Sequence, residues 1–242
     1  MTLAEAMHAL EQAGSAQTRK TYARHGAVEP MFGVSFAALK ALHKRIRVDH
    51  ELACALWATG NLDARNLAVK VVDPSRMSAA DLDRWARETS ARMCGDYVAM
   101  LAAEGPHAAA MSTAWLAADS PVRATGWVLL GQLALRDATL ADAGFTDHLA
   151  AIERTIHVAP NAERGAMNNA VIAIGCRNAA LREAATAAAG RIGEVAVDHG
   201  DTACKTPDAA GAIAKAWAHA AAKAFESPAA QERTREPPRL RC

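Results

Sequence analysis

LDRWARETSARMCGDYVAML, residues Leu82 to Leu101, is the stretch whose reading decides the fold. Read as a helix, it places Leu82, Trp85, Ala86, Thr89, Met93, Asp96, Tyr97, Met100 and Leu101 along or beside one stripe, at the three- and four-residue spacing of an amphipathic helix. That stripe is apolar except at Asp96. A carboxylate there must meet a cation, find a hydrogen-bond partner or open onto a groove, because an unpaired buried charge is costly. The plain alternative is an ordinary structural ion pair at the solvent edge of the stripe.

The same helical spacing continues on both sides and repeats. His50 to Trp57 reads as a helix, Thr59-Gly60-Asn61 turns the chain, and Leu62 to Val72 is helical up to Asp73-Pro74. Ala108 to Ala118, the turn Asp119-Ser120-Pro121 and Val122 to Leu135 follow the same plan. Trp57 precedes Arg65 as Trp115 precedes Arg123, and Ile156 before Arg164 gives a weaker third copy. A unit of helix, polar turn and helix cannot bury its own apolar face and has to stack on neighbours. The tryptophans Trp57, Trp85, Trp115 and Trp127 fall at helix positions where core packing is the default. About a quarter of the 242 residues are alanine, and runs of strand-forming residues are nearly absent. The expected architecture is all-α: a right-handed HEAT-like helical-repeat superhelix (α-solenoid) of about six helical pairs. One domain is expected over residues 1–226. The Pro-, Arg- and Glu-rich stretch 227–242 has no periodicity and reads as a disordered tail.

Individual helix starts are legible too. Thr2 with Glu5 forms a capping box, Ser35 and Ser78 stand at N-cap positions, and Thr206-Pro207-Asp208 opens a last helix from Ala209 to Phe225. A chain of this size buries enough surface to fold without disulfides or metal. Cys54, Cys94, Cys176, Cys204 and Cys242 are widely spaced, with no CxxC pair. No signal peptide and no membrane-length apolar run is present, so a cytoplasmic, membrane-free, monomeric protein with reduced thiols is expected. Asp198, His199, Asp201, Cys204 and Asp208 crowd one loop. Their spacing matches no closed zinc pattern, so the expectation is a hydrogen-bonded cap joining the last two helices, with no metal and no cofactor.

The net charge is only +1, but it is unevenly spread. Arg19, Lys20, Arg24, Lys40, Lys44, Arg45 and Arg47 stand against Glu29 alone, and Arg233, Arg235, Arg239 and Arg241 gather near the end. Lys40, Lys44 and Arg47 share the outward side of the helix Phe36 to Ile46. Such a face suits phosphate contacts, or else it is a solvated helix side. No glycine-rich phosphate loop, GxSxG or HExxH occurs.

The order YARHG, PMFGVSFAALKALHKRI, HELACALWATGNLDARNLAVKVVDP, the Trp85-to-Asp96 segment and AWLAADSPVRATGW resembles the HEAT-like-repeat DNA alkylation repair family, alkylpurine DNA glycosylase type, over about residues 20–225. The turn Phe32-Gly33-Val34 is among its most specific parts. The resemblance implies an all-α superhelix with a basic concave face that holds double-stranded DNA by its backbone. It further implies excision of cationic N3- and N7-alkylated purines without base flipping, by an aspartate flanked by two tryptophans and an arginine.

Carried onto this chain, the aspartate falls on Asp96, the catalytic candidate. The first tryptophan position holds Arg92, the second has no aromatic counterpart between Met167 and Ile174, and the arginine falls near Thr125, with Arg123 two residues away. A fixed carboxylate stabilises the positive charge that builds on the sugar as an N-glycosidic bond breaks, and it can orient water. Arg92 places like charge beside an alkylated purine and stands one helical turn from Asp96. Asp96 is therefore expected on the concave face near Arg92 and Arg123, with its pKa depressed by both cations. The expected function is double-stranded DNA binding, damaged or branched forms included, through Arg24, Lys40, Lys44, Arg47, Arg92 and Arg123. Weak or no excision is expected with it. A helical-repeat scaffold for a protein partner is the alternative.

Overall fold

The computed structural model describes residues 1–89 and 91–241, and all regular structure in them is helical apart from one isolated bridge between Gly14 and Val34. The chain groups into two compact units. The first comprises Met1–His107 together with His199–Ala203 and the segment from Glu236 onward; the second comprises Ala108–Asp198 and Cys204–Arg235.

The first unit contains α1 (Leu3–Ala13), α2 (Ala16–Arg24), α3 (Phe36–Ile46), α4 (His50–Ala58), α5 (Leu62–Val71), α6 (Ala79–Arg87) and α7 (Arg92–Ala102). Their starts follow the sequence closely. Thr2 and Glu5 close a reciprocal capping box on α1, and Ser15, Ser35, Asp49, Asn61 and Ser78 cap the helices after them. At the centre Trp57 and Trp85 are fully buried and stack face to face, ring centroids 4.1 Å apart at an interplanar angle of 2°.

The stretch Leu82–Leu101 is two helices rather than one. In an unbroken helix the carbonyl of Glu88 would accept from the amide of residue 92. Here that carbonyl accepts from Arg65 Nη1 at 2.5 Å, while the Glu88 carboxylate accepts from Trp57 Nε1 at 2.6 Å. The Thr89 hydroxyl takes the carbonyl of Ala86 at 3.0 Å, closing the end of α6. The break resets the helical phase. Leu82, Trp85 and Ala86 are buried as expected, but in α7 the buried side is Cys94, Tyr97, Val98 and Leu101. Met93, Asp96 and Met100 share the half-exposed side instead.

Asp63, the second residue of α5, governs the turn before α3. It is fully buried, and its carboxylate accepts from the backbone amides of Phe32, Gly33 and Val34 at 2.6, 2.9 and 2.9 Å. Gly33 has φ +78°, and a Cβ there would lie 2.6 Å from the backbone nitrogen of Arg19 and from the carbonyl of Ser15. Only glycine lets α2 cross the turn this closely.

The second unit contains α8 (Ala108–Leu116), α9 (Val122–Arg136), α10 (Asp142–Thr155), α11 (Asn161–Gly175), α12 (Ala179–Ile192), α13 (Ala209–Ala222) and α14 (Pro228–Arg233). Small residues set its spacing: a Cβ on Gly131 of α9 would come within 3.3 Å of the Ala173 Cβ on α11. Trp127, Ile152, Met167, Val171, Ile174 and Ile213 fill the core between helices. Buried Arg177 ties the α9–α10 connection by donating to the carbonyls of Ala134, Asp137 and Leu140 and to Asp142.

The segment from Ser227, expected to lack order, carries α14, and the amide of Ala229 donates to the carbonyl of Cys176 at 3.0 Å. Further on, Arg239 is buried in the first unit. It donates to Glu104 at 2.9 Å and to the carbonyls of Val69 and Lys70 at 2.7 and 2.9 Å, while Lys70 Nζ donates back to its carbonyl at 2.5 Å. Composition alone hides this, because the arginine charge is met by a carboxylate 135 residues earlier in the chain and by carbonyls 169 and 170 residues earlier.

Candidate nucleic-acid interface

Asp96 sits in the second turn of α7 between Met93 and Met100, with a third of its side chain exposed (33 %). Arg92 approaches to 3.9 Å, too far for a hydrogen bond. Surrounding protein strips water from the carboxylate and pushes its pKa up to about 6, and the Arg92 charge offsets this only in part. This corrects the expected depressed value: desolvation outweighs the one weak ion pair that α7 supplies. Asp96 is still mostly ionised at neutral pH. The neighbouring Cys94 thiol is pushed up to about 12 by burial, so it supplies no thiolate.

The raised pKa has a measurable consequence. The folded protein holds this proton more tightly than the unfolded chain, so stability falls as pH rises from about 3.8 to about 6, and the full loss persists above that window. Asp96→Asn removes the penalty. Each pKa unit is worth about 1.4 kcal/mol, and water around the exposed part reduces that, leaving an expected gain of about 1–2 kcal/mol at pH 7.5 and none near pH 3.5. Urea unfolding of both proteins at the two pH values measures it; equal stability at pH 7.5 would contradict the burial argument.

Arg123 stands in the first turn of α9 in the second unit. Within that unit it lies 3.8 Å from Glu163 and 4.0 Å from Asp119. Glu163 was not singled out by sequence, since an acid in the first turn of a helix normally serves the helix dipole. Its side chain is nonetheless almost wholly buried, and its Oε1 accepts no hydrogen bond among the described residues. The N-cap of α11 is Pro160, which has no amide hydrogen to offer it.

The basic residues separate into groups. Arg19 is bound to Glu29 at 2.6 Å. Lys20, Arg24, Lys44, Arg45 and Arg47 are exposed and Lys40 half-buried, and none of the six forms an ion pair among the described residues. On α3, Lys40 and His43 lie on the stripe that begins with Phe36, whose ring meets Tyr97 of α7 edge-on at 6.4 Å, and Arg47 follows as the C-cap at φ +63°. That ridge thus runs along the side of α3 turned towards the Asp96 helix. Burial, then the charges of Lys70, Arg239 and Lys40, hold the His43 pKa below its ordinary value, so the ridge carries its charge on lysine and arginine. The late arginines form no free basic arm: Arg239 is buried, Arg235 lies 3.6 Å from Glu232, and Arg233 donates to the carbonyl of Leu135 at 3.4 Å.

The loop from Asp198 to Asp208 is tied to α11 at its two ends, Asp198 and Pro207. Asn161 exchanges two hydrogen bonds of 2.8 Å with the backbone of Asp198, Asn168 donates to the carbonyl of Pro207, and Asp208 caps α13. Among the described residues no group of three or more His, Cys, Asp or Glu side chains is arranged to hold a metal ion, and no helix is long and apolar enough to cross a membrane. Cys242 lies outside the described residues.

A solved structure, described as a new family of proteins related to the HEAT-like repeat DNA glycosylases with affinity for branched DNA structures, superposes with a TM-score of 0.82 at 31 % identity, covering 94 % of this chain and 98 % of its own. An uncharacterized protein of Listeria monocytogenes is 27 % identical over 207 residues, 82 % of this chain and 90 % of its own length. Another from Listeria innocua is 26 % identical over 211 residues, with the same coverage. The family described as "DNA alkylation repair enzyme" matches residues 6–209, a span that takes in the Phe32–Val34 turn, the α3 ridge and Asp96. The chain belongs to that DNA alkylation repair family, on an all-α HEAT-like-repeat fold.

Proposed function

We propose that this protein is a cytoplasmic, monomeric DNA-binding member of the family. It holds double-stranded DNA, damaged or branched forms included, by the phosphate backbone, and it excises alkylated purines weakly or not at all. The observation that carries the reading is the α3 ridge. Lys40 and Lys44 stand one helical turn apart and Arg47 follows at the C-cap, with no carboxylate paired to them among the described residues. Unpaired cations at that spacing suit successive phosphates. The structural relative's affinity for branched DNA points to the same ligand class.

Asp96 supplies the group that glycosidic cleavage needs, since an ionised carboxylate in a partly dry setting stabilises a cationic sugar. The α7 pairing leaves that charge largely available, because Arg92 sits at 3.9 Å without a hydrogen bond. What opposes excision is recognition: the cationic purine meets the Arg92 guanidinium where an indole face would attract it. Neither metal nor cofactor has a role in this scheme.

The experiment compares the natural protein, Asp96→Asn and Arg92→Trp on alkylated duplex, following free base by chromatography and duplex binding alongside. The natural protein is expected to bind duplex and release little or no base. Arg92→Trp should raise release roughly 2- to 30-fold, the span of one cation–π contact of about 0.5–2 kcal/mol. Robust release by the natural protein, lost in Asp96→Asn, would overturn the weak-excision reading. Absence of duplex binding would leave the protein-scaffold alternative.

A further inference from the structure

α2 carries a second cationic ridge, separate from that of α3. Its sequence AQTRKTYAR has no acidic residue, and it buries Tyr22 alone. That side chain docks the helix: its ring lies 6.2 Å from the Phe36 ring, and its hydroxyl donates to the carbonyl of Val34 at 2.6 Å. At about 100° per residue, Lys20 and Arg24 project from the opposite side of α2, where Gln17 is exposed beside them. The α3 ridge follows Phe36 and Tyr97 towards the Asp96 helix, whereas the α2 pair is turned away from that contact.

The turn between the two ridges is pinned on both sides. Gly33 brings the turn against the Arg19 backbone, Ser15 donates its amide to the carbonyl of Gly33 at 3.0 Å, and Asp63 locks the turn from beneath. A straight duplex lying on α3 follows one axis. DNA that also reaches Lys20 and Arg24 has to leave that axis, as the second arm of a junction does. We propose that α2, through Lys20, Arg24 and Gln17, holds a second duplex arm of branched DNA while α3 holds the first. This rests on the reading of α3 as the duplex contact.

The test uses the full chain and two probes, a linear duplex and a three-way junction with the same arm sequence, titrated by fluorescence anisotropy across salt. Circular dichroism confirms that the variants stay folded. Lys20→Ala/Arg24→Ala should cut the ratio of junction to linear affinity at least about fivefold and lower the junction salt slope by about 1.8, two phosphate contacts at about 0.9 each. Lys40→Ala/Lys44→Ala/Arg47→Ala should weaken both probes and leave the ratio in place. Equal weakening of both probes by the α2 variant, an unchanged junction affinity, or no junction preference in the natural protein would each overturn the proposal while the duplex reading stands. If the α3 variant binds both probes as the natural protein does, the duplex reading fails, and the two-arm arrangement with it.

Discussion

Replacing Asp63 by alanine is expected to destabilise the first unit by at least about 3 kcal/mol. The carboxylate is fully buried and accepts three backbone amides in succession, from Phe32, Gly33 and Val34. Each buried donor left without an acceptor costs about 1–3 kcal/mol, and no water replaces an acceptor that closed packing excludes. The damage also spreads through the turn. Tyr22 hangs on the carbonyl of Val34, and Ser35 opens α3 by accepting the amide of Ala38. Both cationic ridges are therefore expected to lose their setting together. Asp63→Asn keeps a carbonyl acceptor but presents an amide group to the remaining donors, so its effect should be intermediate. Urea unfolding followed by tryptophan fluorescence reads this through the Trp57–Trp85 pair. A loss below about 1 kcal/mol for Asp63→Ala would show that the turn is held by something else.

Asp63 also marks where sequence reading stops. Beside Asn61, at the start of a helix, an acid is accounted for by the helix dipole, and nothing local indicates amides about 30 residues earlier. The helices themselves were legible because caps and apolar spacing act within a few residues: Thr2 with Glu5, Ser35 and Ser78 cap where the sequence places them, whereas in Thr206-Pro207-Asp208 the cap of α13 is Asp208 and not the expected Thr206. Ser78 to Ala102 reads as a pair of helices, but the place of the break, at Glu88, was not legible, since it is set by Arg65 and Trp57 from the preceding helices. One consequence is that Met93 and Met100 accompany Asp96 on the half-exposed side of α7 instead of filling the core. The arginines of the last fifteen residues read as a solvated tail for the same reason, because the partners of Arg239 are contributed by α5 and by Glu104. Of the candidate site, the places of Lys40 and Lys44 on α3 followed from helical periodicity, whereas Arg47 lies past the helix end at φ +63°. The pKa of Asp96 did not, because desolvation is a property of the assembled surroundings.

The other large effect concerns binding. Lys40 and Lys44 occupy neighbouring turns of α3 and Arg47 is its C-cap, none with a paired carboxylate among the described residues, so each can replace a counterion at a phosphate. Removing all three should lower duplex affinity at every sequence alike, because phosphates carry no base identity. The loss should be greatest at low salt and fade as salt rises, since the contacts removed are the ones that release counterions. Duplex affinity measured from about 50 to 200 mM salt, for the natural protein and for Lys40→Ala/Lys44→Ala/Arg47→Ala, tests the central claim most directly. The expected result is a steep negative log–log slope for the natural protein that becomes shallower by about 2.7 in the variant, three contacts at about 0.9 each. A slope and affinity unchanged by the triple substitution would contradict the assignment of α3 as the surface that holds DNA.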